Sequence, residues 1–161
     1  MSRLETGALP FTRSVTTVYD TIAEALGALF ISAEKKQLQI EVDCDKELIL
    51  PHNKKWTAEA LFNILDNAVK YTPTGGRVSI YVSKMEMYLK ITVADTGRGI
   101  DEQYHPQIFK RFFREREVHN IDGIGIGLYL ARKIITLQGG YVMVQSSPGA
   151  GSAFSVYLPN V

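Results

Sequence analysis

Apolar residues along the chain switch between two periods, and the switches mark out its elements. From Val15, the positions Val18, Ile22, Ala25, Leu26, Leu29 and Ala33 recur at three- and four-residue intervals, which predicts one amphipathic helix over about 14–34. The period then falls to two. Leu38, Ile40 and Val42 alternate with Gln39, Glu41 and Asp43, and a second short strand is expected over 47–50, ended by Pro51. A helix follows over about 54–71, with Leu61, Ile64, Leu65 and Ala68 on its core face and Thr72-Pro73 and Gly75-Gly76 as its stop. Val78, Ile80 and Val82, then Leu89, Ile91 and Val93, are the inward positions of two strands joined by a hairpin linker at 84–87. A polar, glycine-bearing stretch over 96–126 interrupts the pattern, with a short helix expected around 101–113. A last helix over about 127–138 ends at Gly139-Gly140, and strands at about 141–146 and 152–158 close the chain.

Paired strands followed by one helix at a time, without a βαβ rhythm, predict an α+β fold. It is a two-layer α/β sandwich: a mixed, mostly antiparallel sheet covered on its inner face by about three helices. The 161 residues suffice for one domain with a real core. Residues 1–13, with Gly7 and Pro10, read as an extended lead-in to a domain over 14–161. Eighteen basic against seventeen acidic residues leave a net charge of +1, so attraction of the whole chain to nucleic acid or anionic membrane is not supported, and any anion site is local. The single cysteine, Cys44, excludes an intramolecular disulfide and a cysteine-rich zinc cluster and fits a reducing, cytoplasmic setting. No apolar run is long enough to span a bilayer, and the first residues lack a signal-peptide core.

Four segments carry possible chemistry. On the helix over 54–71, Glu59, Asn63, Asn67 and Lys70 fall on one face beside the core face. That is either a solvated face or a ligand face. Asparagine is a poor helix former, but its amide oxygen suits Mg²⁺ and a lysine one turn later can meet phosphate. Asp95 continues the inward phase of Leu89, Ile91 and Val93, where an unpartnered carboxylate is costly. It either starts a structural turn or awaits a ligand, and Gly97 and Gly99 just beyond it permit close backbone approach. Gly123, Gly125 and Gly127 precede the last helix, where backbone N–H groups can wrap a phosphate, although the spacing fits neither a dinucleotide fingerprint nor a P-loop. Phe109, Phe112 and Phe113 lie among Lys110, Arg111, Arg114 and Arg116 and read as core anchors beside a basic surface.

In order, these segments resemble the catalytic domain of sensor histidine kinases, in the GHKL ATPase superfamily. Residues from Asn63 to Pro73 look like the N box, Asp95 to Ile100 the first glycine box, Ile108 to Arg114 the F box, and Gly123 to Leu128 the second glycine box. The stretch from Gly149 to Pro159, which includes Ser152, resembles the closing strand motif. Ser2 to Gly7 looks like the end of the dimerization helix, so that 1–13 would be its tail and linker. The resemblance implies a Bergerat-type fold binding ATP and Mg²⁺. Asp95 would accept from the adenine amine, with Gly97, Gly99, Ile100 and Ser152 around it. Asn67 would be the metal ligand, with Asn63 and Lys70 at the phosphates and Tyr71 beside the nucleotide. Gly123, Gly125, Gly127 and Leu128 would shape the end of a lid over roughly 101–122, Phe109 would belong to the nucleotide site, and Lys110 and Arg114 would meet the γ-phosphate or a partner.

The resemblance also implies a division of labour. Hydrolytic relatives carry a glutamate four residues before the metal-binding asparagine. Here that place is Asn63, and an amide is not a general base. Glu59 stands one turn farther along, about 6 Å away on the axis. The expected activity is therefore histidine kinase chemistry, transfer of the γ-phosphoryl group to a histidine on a dimerization domain. His52, His105 and His119 do not sit in the acceptor's acidic setting, so that histidine is expected elsewhere. The expected partners are that dimerization domain and a response regulator receiver domain, with no nucleic acid, and the segment by itself is expected to be monomeric. A nucleotide-binding regulatory module without transferase activity and a GHKL-type ATPase are the alternatives.

Overall fold

In the computed structural model, which describes residues 12–110 and 127–160, Thr17 decides where the first helix begins. Its hydroxyl accepts from the Asp20 amide at 3.3 Å and caps α1 (Val18–Gly27). The preceding run, with its β-branched Val15, Thr16 and Thr17, is strand β1 (Ser14–Thr17). After Gly27 the Leu29 amide turns back to the Leu26 carbonyl at 2.8 Å, and a separate α2 (Phe30–Lys35) follows. The single helix expected over 14–34 is thus a strand and two helices. A cap and a glycine override an apolar period that runs on without a break.

Strand β2 (Gln39–Asp43) lies where the alternation puts it. Strand β3 is Ile49–His52, displaced from the expected 47–50, and Pro51 stands inside it opposite Val15. Proline is tolerated there because β1 and β3 make only a two-stranded antiparallel ribbon, where every strand is an edge. Asn53 caps α3 (Lys54–Tyr71) by accepting from the Trp56 amide at 2.9 Å. Then come β4 (Arg77–Lys84), β5 (Tyr88–Asp95), a 3₁₀ turn over Glu102–Tyr104, α4 (Gly127–Leu137), β6 (Tyr141–Ser146) and β7 (Ser152–Pro159). In place of the helix expected around 101–113, one 3₁₀ turn capped by Asp101 leads through further turns to Lys110. The rest of that stretch, with Arg114, Gly123 and Gly125, lies outside the described residues.

The main sheet runs β2-β4-β5-β7-β6. The β2–β4 pair is parallel and the others are antiparallel. Its inner face is built in rows across the strands. Val82, Ile91, Val156 and Val142 form one row, and Ile80, Val93, Phe154 and Val144 the next. Most of these side chains are fully buried, each contributing about 1.5–3 kcal/mol of apolar burial. Helix α3 lies between α1 and α4 over this face. The next row is Val78, Asp95, Ser152 and Ser146. Here the core turns polar, and that change positions the site.

A polar clasp fastens the start of the domain to both long helices. The Gln138 side chain accepts from the Asn53 amide at 3.0 Å and donates to the Thr57 hydroxyl at 3.0 Å, while its backbone carbonyl accepts from Arg13 at 2.9 Å. Asn53 Nδ2 donates to the Thr12 carbonyl at 3.0 Å. Among the described residues, no helix is long and apolar enough to cross a membrane.

Candidate nucleotide-binding site

Asp95 is half-buried at the end of β5, on the inward phase that the alternation predicts. Its Oδ1 accepts from the Gly97 amide at 2.8 Å and the Ser152 amide at 3.3 Å. Its second oxygen has no hydrogen-bond partner among the described residues. The structural turn and the open acceptor therefore coexist on one carboxylate. Burial pushes the Asp95 carboxyl above the usual range, and the two amide donors pull the other way.

The loop after Asp95 is wedged between two walls. A Cβ at Gly97 would lie 2.6 Å from the Tyr71 carbonyl oxygen, so the loop touches the last turn of α3. At Gly99, with φ +76°, a Cβ would run into the Ser147 carbonyl of the β6–β7 turn. The Gly149 amide donates to the Arg98 carbonyl at 2.7 Å, closing that side. Ser146, which the sequence reading passed over, joins the two. Its Oγ accepts from the Ile100 amide at 2.7 Å and lies 3.0 Å from the Gly151 carbonyl and 2.8 Å from Ser152 Oγ. Its signal was the phase of β6, where Val142, Val144 and Ser146 share the inner face.

Asn63, Asn67 and Lys70 share one partly exposed face of α3, and Glu59, one turn before Asn63, is exposed. Asn63 Nδ2 donates to the Glu59 carbonyl at 3.1 Å. A Cβ at Gly127 would lie 3.5 Å from Asn63 Oδ1, so the first turn of α4 adjoins that amide oxygen. The Asn67 side chain makes no hydrogen bond among the described residues. Lys70 pairs with Asp66 at 3.0 Å along the helix, and Tyr71 is half-buried. Among the described residues, no three His, Cys, Asp or Glu side chains group as a metal site.

Phe109 is a core residue, its ring 6.1 Å from Phe154 edge to face and with the Arg132 guanidinium 5.0 Å from its centroid. Ile100 and Leu128 pack partly buried against the same core. An open depression of about 350 Å³ also borders Asp95, lined by Ala94, Gln145, Ala150 and Ala153 among others. The register puts Ala94, Gln145 and Ala153 on the sheet face opposite Val93 and Phe154, so this hollow is not where α3 and α4 converge.

The family model for histidine kinase-, DNA gyrase B- and HSP90-like ATPases matches residues 52–161. The chain belongs to this family. Within it, the adaptive-response sensory kinase SasA of Synechococcus sp. (strain JA-2-3B'a(2-13)) is 36% identical over 150 residues, 91% of this chain and 40% of that protein. The sensor protein DivL of Caulobacter vibrioides is 30% identical over 161 residues, 99% of this chain and 20% of that protein. The chain thus spans less than half the length of these curated relatives. Among solved structures, full-length ShkA in complex with AMPPNP superposes with a TM-score of 0.84 at 23% identity, covering 98% of this chain and 33% of that one. The catalytic domain of histidine kinase ThkA superposes at 0.79 and 23% identity, covering 94% and 99%. These superpositions establish the two-layer fold as that of histidine kinase catalytic domains.

Proposed function

We propose that this chain is the ATP-binding catalytic domain of a two-component sensor histidine kinase. It passes the γ-phosphoryl group of Mg²⁺-ATP to a histidine on a dimerization segment, and that group moves on to an aspartate of a response regulator receiver domain. The observation that carries the reading is half-buried Asp95, whose second oxygen has no hydrogen-bond partner among the described residues. It is an acceptor held in place by two backbone amides, and an adenine amine supplies the donor it lacks. Gly97, Gly99, Ile100 and Ser152 shape the walls around the base, with Tyr71 beside it.

At the other end of the ligand, Asn67, whose side chain makes no hydrogen bond among the described residues, offers its amide oxygen to Mg²⁺, which would supply charge neutralisation at the phosphates when bound. Lys70 exchanges Asp66 for phosphate. Asn63 and the backbone at Gly127 line the same end; by family likeness Gly123, Gly125, Leu128 and Arg114 would complete it, while Phe109 supports it from within the core. In the transfer, an imidazole nitrogen bonds to the γ-phosphorus while the bond to the ADP oxygen breaks. A neutral imidazole is already a nucleophile, so the domain's work is to hold the phosphates in line. Water activation is disfavoured, because the amide of Asn63 cannot take a proton and Glu59 is exposed a turn away.

In this reading residues 1–13 are the end of the dimerization helix and its linker, residues 14–161 are the catalytic domain, and the domain works in the cytoplasm. Isothermal calorimetry of this chain with a non-hydrolysable ATP analogue, with and without Mg²⁺, tests it. Saturable binding that GTP analogues do not match, tightened by Mg²⁺, is expected. No heat from a folded sample would overturn the nucleotide assignment.

A further inference from the structure

The last turn of a helix exposes four carbonyls without helical partners, and at α3 those carbonyls adjoin the candidate site. Thr72 closes the first, since its amide and its hydroxyl reach the Ala68 carbonyl at 3.1 and 2.7 Å. The next two belong to Val69 and Lys70. Both accept from the Lys36 ammonium, at 2.7 and 3.0 Å. The fourth, on Tyr71, is the carbonyl that Gly97 abuts. Lys36 therefore grips the helix at the two residues just before its contact with the loop that carries Asp95.

The chain makes a deliberate turn to put Lys36 there. Lys36 ends α2, Gln37 takes a left-handed backbone at φ 54°, and the Leu38 and Gln37 amides return to the Ala33 and Glu34 carbonyls. This is the helix stop that normally uses glycine, built here with a glutamine. The Lys36 carbonyl also accepts from the Gly75 amide at 2.8 Å, and the Gln39 amide donates to the Gly76 carbonyl at 2.9 Å, so the two turns are stitched together. No carboxylate lies within ion-pair distance of Lys36 among the described residues. Its charge faces the negative end of the α3 dipole. Burial lowers the Lys36 pKa, the mark of a cation taken partly out of water for this contact.

We propose that Lys36 is a positioning residue for the nucleotide: by holding the Val69 and Lys70 carbonyls it fixes the α3 turn that sets Lys70, Tyr71 and the Gly97 loop in register. This inference rests on the nucleotide reading above. It goes beyond it by giving a working role to a residue outside every motif in the sequence.

The test compares Lys36→Met and Lys36→Arg in the full chain. Calorimetry with AMPPNP and with ADP gives affinities, and hydrogen exchange follows the Val69 to Thr72 amides. We expect Lys36→Met to bind both ligands about tenfold more weakly, to the same extent, with faster exchange at those amides, and Lys36→Arg to recover to within about threefold. Wild-type affinity in a folded Lys36→Met protein would overturn the proposal. A loss confined to AMPPNP would also overturn it, by making Lys36 a direct γ-phosphate contact. Should Lys36→Met lose its cooperative melt, Lys36→Gln, which keeps a donor without the charge, is read in the same two ways. If the wild-type chain binds neither ligand, the nucleotide reading fails. The exchange rates then decide separately whether Lys36 holds the turn.

Discussion

Replacing Asp95 by asparagine should separate binding from stability, moving the two in opposite directions. The amide keeps an oxygen for the Gly97 and Ser152 donors, so the turn persists. The second oxygen becomes an NH₂ group, and a donor then faces the adenine amine. The lost charge-assisted hydrogen bond is worth about 1.5–3 kcal/mol, and leaving the opposed donors unpaired adds about 1 kcal/mol or more. Together these weaken adenine nucleotide binding by roughly a hundredfold or more. Stability responds to the raised carboxyl pKa. Between the unfolded value and the folded one, the folded chain holds more protons than the unfolded chain, so stability falls as pH rises through that window. At neutral pH the ionised group sits in a partly desolvated place at a cost, which the amide removes. Asp95→Asn should therefore melt at or above the wild-type temperature at pH 7 without ligand, and the difference should shrink below pH 4. Calorimetry and thermal melts on the same samples measure both effects. Affinity within about threefold of wild type, or a clearly lower melting temperature, would refute the reasoning, because one requires an unused carboxylate and the other a purely structural one.

Asn67→Ala should abolish the tightening of ATP-analogue binding by Mg²⁺ while leaving metal-free affinity within about threefold, read from calorimetry with and without the ion. Gly99→Ala puts a methyl group into the Ser147 carbonyl at a left-handed backbone position, and should cost about 2 kcal/mol or more in urea unfolding. His52 is buried, with Nδ1 2.7 Å from the Leu50 carbonyl and Nε2 2.7 Å from the Thr21 hydroxyl, an arrangement that suits the neutral ring. Burial lowers its pKa, against the Leu50 hydrogen bond and with help from Lys54. Its stabilisation is full above about pH 6.5 and is lost as pH falls toward the folded value, so His52→Gln should flatten the stability profile below pH 6.5.

What the sequence disclosed about this molecule depended on whether a residue breaks a local rule. Helix α3 and strands β4 and β5 were legible because their apolar periods are long and bounded by Pro and Gly. The start of α1 and its break from α2 were both hidden, because the apolar spacing runs from Val15 straight through Gly27 and Ala28; the Thr17 cap and the pairing of β1 with β3 set the start, and the turn of the Leu29 amide back to the Leu26 carbonyl makes the break. The same contrast governs the site. Asp95 stood out because a carboxylate on an inward phase is expensive unless something meets it. Ser146 occupies the same row by the same phase, yet a serine at a strand end violates nothing, and its link to Ile100 emerges only when β6 and β7 are paired. Lys36 was harder still. Its partners are main-chain carbonyls thirty-three and thirty-four residues away, atoms that every residue has and no pattern can single out. Groups that meet the ligand must depart from what folding alone would choose, so they show in a single sequence. Groups that hold them in place satisfy ordinary backbone needs, and only the folded chain reveals which needs they serve. A candidate site described from motif residues alone therefore leaves out the parts that fix its geometry, and in the proposed nucleotide site those parts are Lys36 and Ser146.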